Sequence, residues 1–216
     1  TKATAKYTKK SKKKVVTSKI TTTVQTTTTQ QVSIANETAV STTSSGTSVS
    51  QATAAASSSQ NQSKYEANVA SVAGKMDNRV IAAYQQLGFK LVVDPSVNYS
   101  GYFDARSRSI TMKQIDDSVY HELGHFLAFI AGNADKTASF QSIFAAEKAN
   151  VTAFNKAYVT QNASEYFAES VKDYILNNAS LKSSRPQTYA AVQNALNQIT
   201  DAQIAKIQKI YGAFWN

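Results

Sequence analysis

The stretch Val119-Tyr120-His121-Glu122-Leu123-Gly124-His125-Phe126-Leu127 contains both histidines of this 216-residue chain. His121 and His125 stand four positions apart, so on a helix their side chains share one face, about one turn apart. Glu122 follows the first histidine and completes the H-E-x-x-H pattern of zinc peptidases. Two imidazoles in this register can bind one Zn²⁺ ion between them. The simpler interpretation, an amphipathic helix with two hydrogen-bonded histidines, does not explain why histidine occurs nowhere else.

A catalytic zinc site needs a third protein ligand, because such sites keep three protein ligands and one water. The chain has no third histidine and no cysteine, so the remaining ligand must be a carboxylate. Glu165 and Glu169 are the candidates, and their spacing places them on one helical face. One would bind the metal, and the other would accept the free ring N–H of a ligating histidine. Two solvated helix acids are the ordinary alternative, but the apolar residues between them favour a partly buried helix.

Two motifs together resemble a known family. His121-Glu122-Leu123-Gly124-His125, followed about forty residues later by Glu165-Tyr166-Phe167-Ala168-Glu169, resembles the catalytic domain of anthrax lethal factor. It looks still more like the small secreted Pro-Pro endopeptidases of Gram-positive bacteria. The resemblance covers about residues 62–216.

The resemblance implies a role for each of these residues. Glu165 would be the third ligand beside His121 and His125, Glu169 would support the site from outside, and Glu122 would be the general base. A tyrosine seven residues before the ligand stabilises the oxyanion in this family, and Tyr158 stands at that position. Taken without the resemblance, Tyr158 is more typical of a core aromatic residue.

The function implied is that of a secreted zinc metalloendopeptidase, a monomer with one Zn²⁺ per chain. Its substrates would be extracellular or surface proteins, with bonds between two prolines as the preference of the relatives it resembles. Two alternatives stay open. One is a surface-binding module that keeps zinc but not turnover, against which Glu122 and Tyr158 argue. The other is a toxin component that needs a separate partner to enter cells.

The first 61 residues differ in composition from the rest of the chain. Residues 1–19 hold eight lysines and no acid, which accounts for nearly all of the net charge of +9. A Thr/Ser-rich stretch without Phe, Leu, Trp or Met follows, so we expect residues 1–61 to form a disordered leader. The lysines would either attract an anionic cell wall or membrane surface, or serve as a solvated spacer. The remaining charge is balanced, which argues against nucleic acid as a partner.

The chain lacks cysteine and long apolar runs, and both absences limit the classes of protein to which it can belong. Without cysteine, disulfides and thiol chemistry are excluded. No apolar run approaches 18 residues, so the sequence predicts no transmembrane helix. The chain begins at Thr1 rather than at a methionine and has no apolar signal region, as expected of a trimmed, secreted product.

Apolar periodicity predicts an α+β domain dominated by helix, which the resemblance makes zincin-like. A helix is expected over 62–87, with Gly74 as a point of division, and strands over 89–93, 102–104 and 108–113. The H-E-x-x-H helix should begin after Asp116 or Asp117 and end near Ala131. Further helices are expected over 139–149, 163–177 and 185–198, and from 201 onward.

The strand before the H-E-x-x-H helix is predicted to be a sheet edge. Its residues alternate, with Ile110 and Met112 on one face and Ser109, Thr111 and Lys113 on the other. An extended substrate would add a strand to this edge. The plain alternative for Ile110 and Met112 is core packing.

Overall fold

The computed structural model describes residues 63–215, which form a small sheet and a larger set of helices. The α+β prediction is confirmed for these residues. The predicted leader over 1–61 lies outside them and stays a prediction. The strands are β1 (Tyr65–Ala67), β2 (Lys90–Val93), β3 (Gly101–Asp104) and β4 (Ser109–Met112). The helices are α1 (Val69–Val72), α2 (Asn78–Gln86), α3 (Ser118–Ile130), α4 (Ala138–Glu147), α5 (Lys156–Val159), α6 (Ala163–Leu176), α7 (Asn178–Ser184), α8 (Pro186–Asn197) and α9 (Asp201–Tyr211).

The sheet has the strand order β1-β2-β4-β3. β3 and β4 form an antiparallel hairpin, and β2 lies parallel to β4 on its other side. Leu91, Ile110 and Met112 are fully buried, and these central strands place them in the core that also contains α3. Among residues 63–215, β1 and β3 are therefore the two edge strands of the sheet.

The prediction that the strand before α3 is an edge strand is wrong. β4 pairs with β2 on one side and with β3 on the other, so its backbone groups are used in both directions. The cause is β2, whose apolar residues Leu91 and Val93 gain burial by lining up with Ile110 and Met112. Core packing, the plain alternative for Ile110 and Met112, is the correct interpretation.

The predicted helix over 62–87 is only partly correct. Residues 65–67 form the short strand β1, and only the part after Asp77 is a regular helix of nine residues, α2. β1 forms backbone hydrogen bonds with the edge of β2 that β4 leaves unpaired. The helical periodicity of this segment could not predict that pairing. The division near Gly74 is real, because α1 ends before it and α2 begins after it.

α3 runs through the centre of the described residues. Leu123, Phe126, Leu127 and Ile130 are fully buried along it, as expected of a helix that is apolar on nearly every side. Asp116 accepts a hydrogen bond from the Ser118 N–H at its start, at 2.9 Å. Its end is marked by Gly132, which adopts a left-handed φ of 77°.

The helices after α3 agree with the sequence prediction except at two places. α5 and α7 were not predicted, because both are short and carry few apolar residues in a regular pattern. Within residues 63–215, no helix combines the length and apolarity needed to cross a membrane.

Candidate metal and peptidase site

Two helices meet closely enough to place their functional side chains in one site. α3 carries both histidines, α6 carries both candidate glutamates, and the two helices pack against each other. Gly124 makes the approach possible, because a Cβ atom built there would lie 2.7 Å from both the Cα and the carbonyl oxygen of Ala168. Any side chain larger than hydrogen would therefore separate the two helices.

The structure brings His121, His125 and Glu165 together. One ligand atom from each lies within 4.8 Å of the others, which is the arrangement that a single metal ion requires. The Glu165 carboxylate oxygen Oε2 is 3.1 Å from His121 Nε2 and 3.6 Å from His125 Nε2. Two imidazole nitrogens and one carboxylate oxygen form the donor set of His₂Glu zinc sites, so these residues fit Zn²⁺.

Glu169 supports His121 from the opposite side of its ring. Its Oε2 atom lies 2.9 Å from His121 Nδ1, and its other oxygen accepts a hydrogen bond from Lys172 at 3.3 Å. A carboxylate at Nδ1 fixes the ring so that Nε2 faces the cluster with His125 and Glu165. Glu165 and Glu169 thus take different positions, a difference that helical spacing left open and that the family resemblance implied.

The electrostatics of this cluster favour positive charge at its centre. Burial lowers the pKa of His121, but hydrogen bonds with Glu165 and Glu169 outweigh burial and raise that pKa to about 9. Burial also opposes ionisation of Glu165, yet its hydrogen bonds with His121 and His125 hold its pKa below the usual range. The two carboxylates therefore stabilise positive charge at the position of the imidazoles.

Glu122 lies buried between α3 and the edge strand β3. A Cβ atom at Gly101 would stand 2.6 Å from Glu122 Oε1, so the glycine leaves the space that the carboxylate occupies. Burial raises the pKa of Glu122 even though the charges on His121 and His125 lower it. A carboxylate with a raised pKa is a better proton acceptor for general base catalysis than a fully solvated one.

Tyr158 lies at the open side of the cluster. Its side chain is half exposed, and its ring centroid is 6.4 Å from that of His121. Partial burial and the nearby Glu165 carboxylate raise its pKa to about 12, so the hydroxyl keeps its proton and can donate it in a hydrogen bond. The sequence-predicted residues Glu122 and Tyr158 both lie beside the cluster.

The predicted substrate-binding residues are not brought to this site as an edge. Ser109, Ile110, Thr111 and Met112 form the interior strand β4, and the Lys113 N–H donates to the Ser100 carbonyl of the neighbouring chain segment. Sequence reasoning missed Gly101, for which a short strand before a turn gives no signal. It also missed the role of Gly124, although that glycine stands inside the quoted motif.

Comparison with known proteins supports the same family. The family model described as "Anthrax toxin lethal factor, N- and C-terminal domain" matches residues 104–195. Residues 104–195 of the chain are thus similar to this family. The lethal-factor-like segment includes all three residues of the metal cluster, together with Glu122, Tyr158 and Glu169.

One curated relative matches part of this chain. A protein named Pro-Pro endopeptidase from Clostridioides difficile (strain 630) is 41% identical over 78 residues, which cover 34% of this chain and 34% of that protein. The matched part thus spans about a third of the relative's own length. The resemblance to lethal-factor-like proteins that the two motifs predicted is confirmed.

Proposed function

We propose that the chain is a zinc-dependent endopeptidase that hydrolyses peptide bonds through a zincin-like site. The observation that carries the proposal is the convergence of His121, His125 and Glu165 beside the buried Glu122. Relationship to the lethal-factor family and to a Pro-Pro endopeptidase supports it. Secretion, with the lysines of residues 1–19 in contact with an anionic surface, is part of the same proposal.

Each residue of the site has a defined task in this chemistry. His121, His125 and Glu165 would hold the metal, which when bound acidifies water and polarises the scissile carbonyl. Glu122 takes a proton from the water that attacks the carbonyl carbon, and returns it to the leaving amine as the C–N bond breaks. The Tyr158 hydroxyl donates a hydrogen bond to the oxygen that becomes negatively charged.

The free edge of β3 is the place where substrate would lie. Lys113 donates to Ser100 directly opposite, so in this antiparallel pair the backbone groups of Gly101 and Phe103 point away from β4. An extended peptide can pair with these outward groups, next to Glu122. This strand replaces β4 as the proposed substrate edge.

The proposal is tested by digestion of a peptide library that includes Pro-Pro sequences. The wild-type protein is expected to cleave a defined subset of peptides, and a zinc chelator is expected to abolish cleavage. Identical digests from the wild type and a variant lacking the Glu122 carboxylate would favour a binding module without turnover. Cleavage confined to Pro-Pro bonds would extend the specificity of the Clostridioides difficile relative to this chain.

We expect Tyr158→Phe to lower kcat by about 10²-fold, the cost typical of losing one oxyanion donor. The ring remains, so KM and zinc content should change little. Steady-state kinetics on a cleaved library peptide measure this separation. A loss confined to KM would instead assign Tyr158 to substrate binding.

We expect Gly101→Ala to lower kcat/KM by about 10²-fold, because the added methyl forces the Glu122 carboxylate to move by roughly 1 Å. Zinc content should stay unchanged. Gly212→Ala is the matched control, since a Cβ atom there meets nothing within 4 Å. Equal activity in both variants would show that Gly101 is not needed to seat Glu122.

A further inference from the structure

Helix α6 is held by hydrogen bonds on a face next to the one that carries Glu165 and Glu169. Tyr166 and Ser170 each follow directly after one of the two site glutamates, Glu165 and Glu169, and both are completely buried. Each side chain has a hydrogen-bond partner that follows α6 in sequence, Thr188 for Tyr166 and Arg185 for Ser170. The two residues are four apart, so they lie on one face of α6, and that face is held at two points about one turn apart.

The first contact runs from Tyr166 to Glu147. Tyr166 Oη lies 2.7 Å from Thr188 Oγ1, and Thr188 Oγ1 in turn donates to Glu147 Oε2 at 2.7 Å. A hydroxyl has one proton, so Tyr166 must be the donor to Thr188. Glu147 also accepts the backbone N–H groups of Gln187 and Thr188 at 3.0 and 2.9 Å, which anchors this buried carboxylate at the start of α8.

The second contact runs through Arg185, a buried cation at the junction of α7 and α8. Its Nη1 atom donates to Ser170 Oγ at 3.0 Å, and its Nη2 atom pairs with the Asp173 carboxylate. Ser170 Oγ donates in turn to the Tyr166 carbonyl at 2.6 Å. The guanidinium also lies over the Tyr166 ring, 5.5 Å from its centroid.

These contacts fix the rotation of α6 about its own axis. Successive residues of an α-helix are about 100° apart, so holding Tyr166 and Ser170 also sets the directions of Glu165 and Glu169. Functional side chains must be held within about 0.5 Å of their working geometry. A roll of α6 would carry both carboxylates away from His121 together.

We propose that Tyr166, Ser170, Arg185, Thr188 and Glu147, here called the α6 clamp, are positioning residues for the metal cluster. They touch neither metal nor substrate, and they act by setting the direction of Glu165 and Glu169. This inference rests on the proposed zinc function. The competing interpretation is that this network only stabilises the fold. A buried ion pair is by itself weak evidence for such stabilisation.

Zinc affinity, measured by competition with a chromophoric chelator, tests the clamp in the full-length protein. Tyr166→Phe removes one hydroxyl but leaves the bonds between Thr188 and Glu147 intact. We expect it to weaken zinc binding at least threefold, somewhat less than the roughly 10- to 100-fold typical of losing a direct partner of a ligand. Thr188→Val should weaken binding in the same way, and Thr188→Ser, which keeps a hydroxyl, should restore it.

Val192→Ala is the control for a loss of stability alone. Val192 is fully buried on α8 and contributes no hydrogen bond from its side chain, so its truncation should lower the unfolding temperature but leave zinc affinity unchanged. Wild-type affinity in Tyr166→Phe and Thr188→Val would overturn the clamp, as would equal weakening by Val192→Ala. A wild-type protein that binds no zinc would instead overturn the proposed function, and the clamp with it.

Discussion

Replacing Glu122 with glutamine is expected to lower kcat by about 10²–10⁴-fold, the contribution typical of a general acid–base group. Glutamine has nearly the shape of glutamate, so it should fit the buried space beside Gly101. It cannot accept the proton that the attacking water must lose. Zinc content should stay at the wild-type value, because Glu122 is not part of the His121, His125 and Glu165 cluster.

Kinetics on a cleaved peptide and metal analysis of the same sample measure these two effects together. Glu66→Gln is the matched control, because Glu66 is an exposed carboxylate that pairs with Lys90 on the β1–β2 side of the sheet. It should retain wild-type activity. Full turnover in Glu122→Gln would mean that another group takes the proton.

Replacing Gly124 with alanine is expected to weaken zinc binding by about 10-fold or more, as loss of ligand geometry does in other metal sites. The added methyl would lie 2.7 Å from two backbone atoms of Ala168, and a backbone cannot move aside as a flexible side chain can. α3 and α6 must therefore separate, which draws His121 and His125 away from Glu165. Overpacking of this kind also costs about 1–3 kcal/mol in the free energy of unfolding.

Gly74→Ala provides the comparison for this second substitution. A Cβ atom at Gly74 has its nearest neighbour, the Ala70 carbonyl oxygen, at an ordinary 3.7 Å. Denaturant unfolding and chelator competition should therefore show little change for Gly74→Ala and a large change for Gly124→Ala. Unchanged zinc affinity in Gly124→Ala would show that the helix contact does not determine the ligand geometry.

The sequence predicted which residues share a face of a helix, and the structure explains why that was possible. Residues four apart lie on one face of a helix, so the sequence placed His121 beside His125 and Glu165 beside Glu169. The contact between the two helices depends on the absence of a side chain at Gly124, and no periodicity shows that contact. Helical spacing alone did not distinguish Glu165, which faces both histidines, from Glu169, which faces His121 Nδ1; the family resemblance had assigned them different roles.

Strand pairing was the part of the fold that the sequence could not predict. Alternation in β4 correctly placed Ile110 and Met112 on one face, but alternation carries no information about neighbours within the sheet. β2 pairs directly with β4, although β3 stands between them in sequence. Three residues of β1 pair with β2, although they belong to a segment with helical periodicity. Gly101 and the α6 clamp depend on such contacts between distant residues.

The most direct test of the account is the zinc content of the purified protein, measured by mass spectrometry of the metal after extensive dialysis. We expect about one zinc per chain in the wild type and almost none in His121→Ala, because three protein ligands would hold the ion. A wild-type protein without zinc, or a His121→Ala variant with the same zinc content as the wild type, would contradict it.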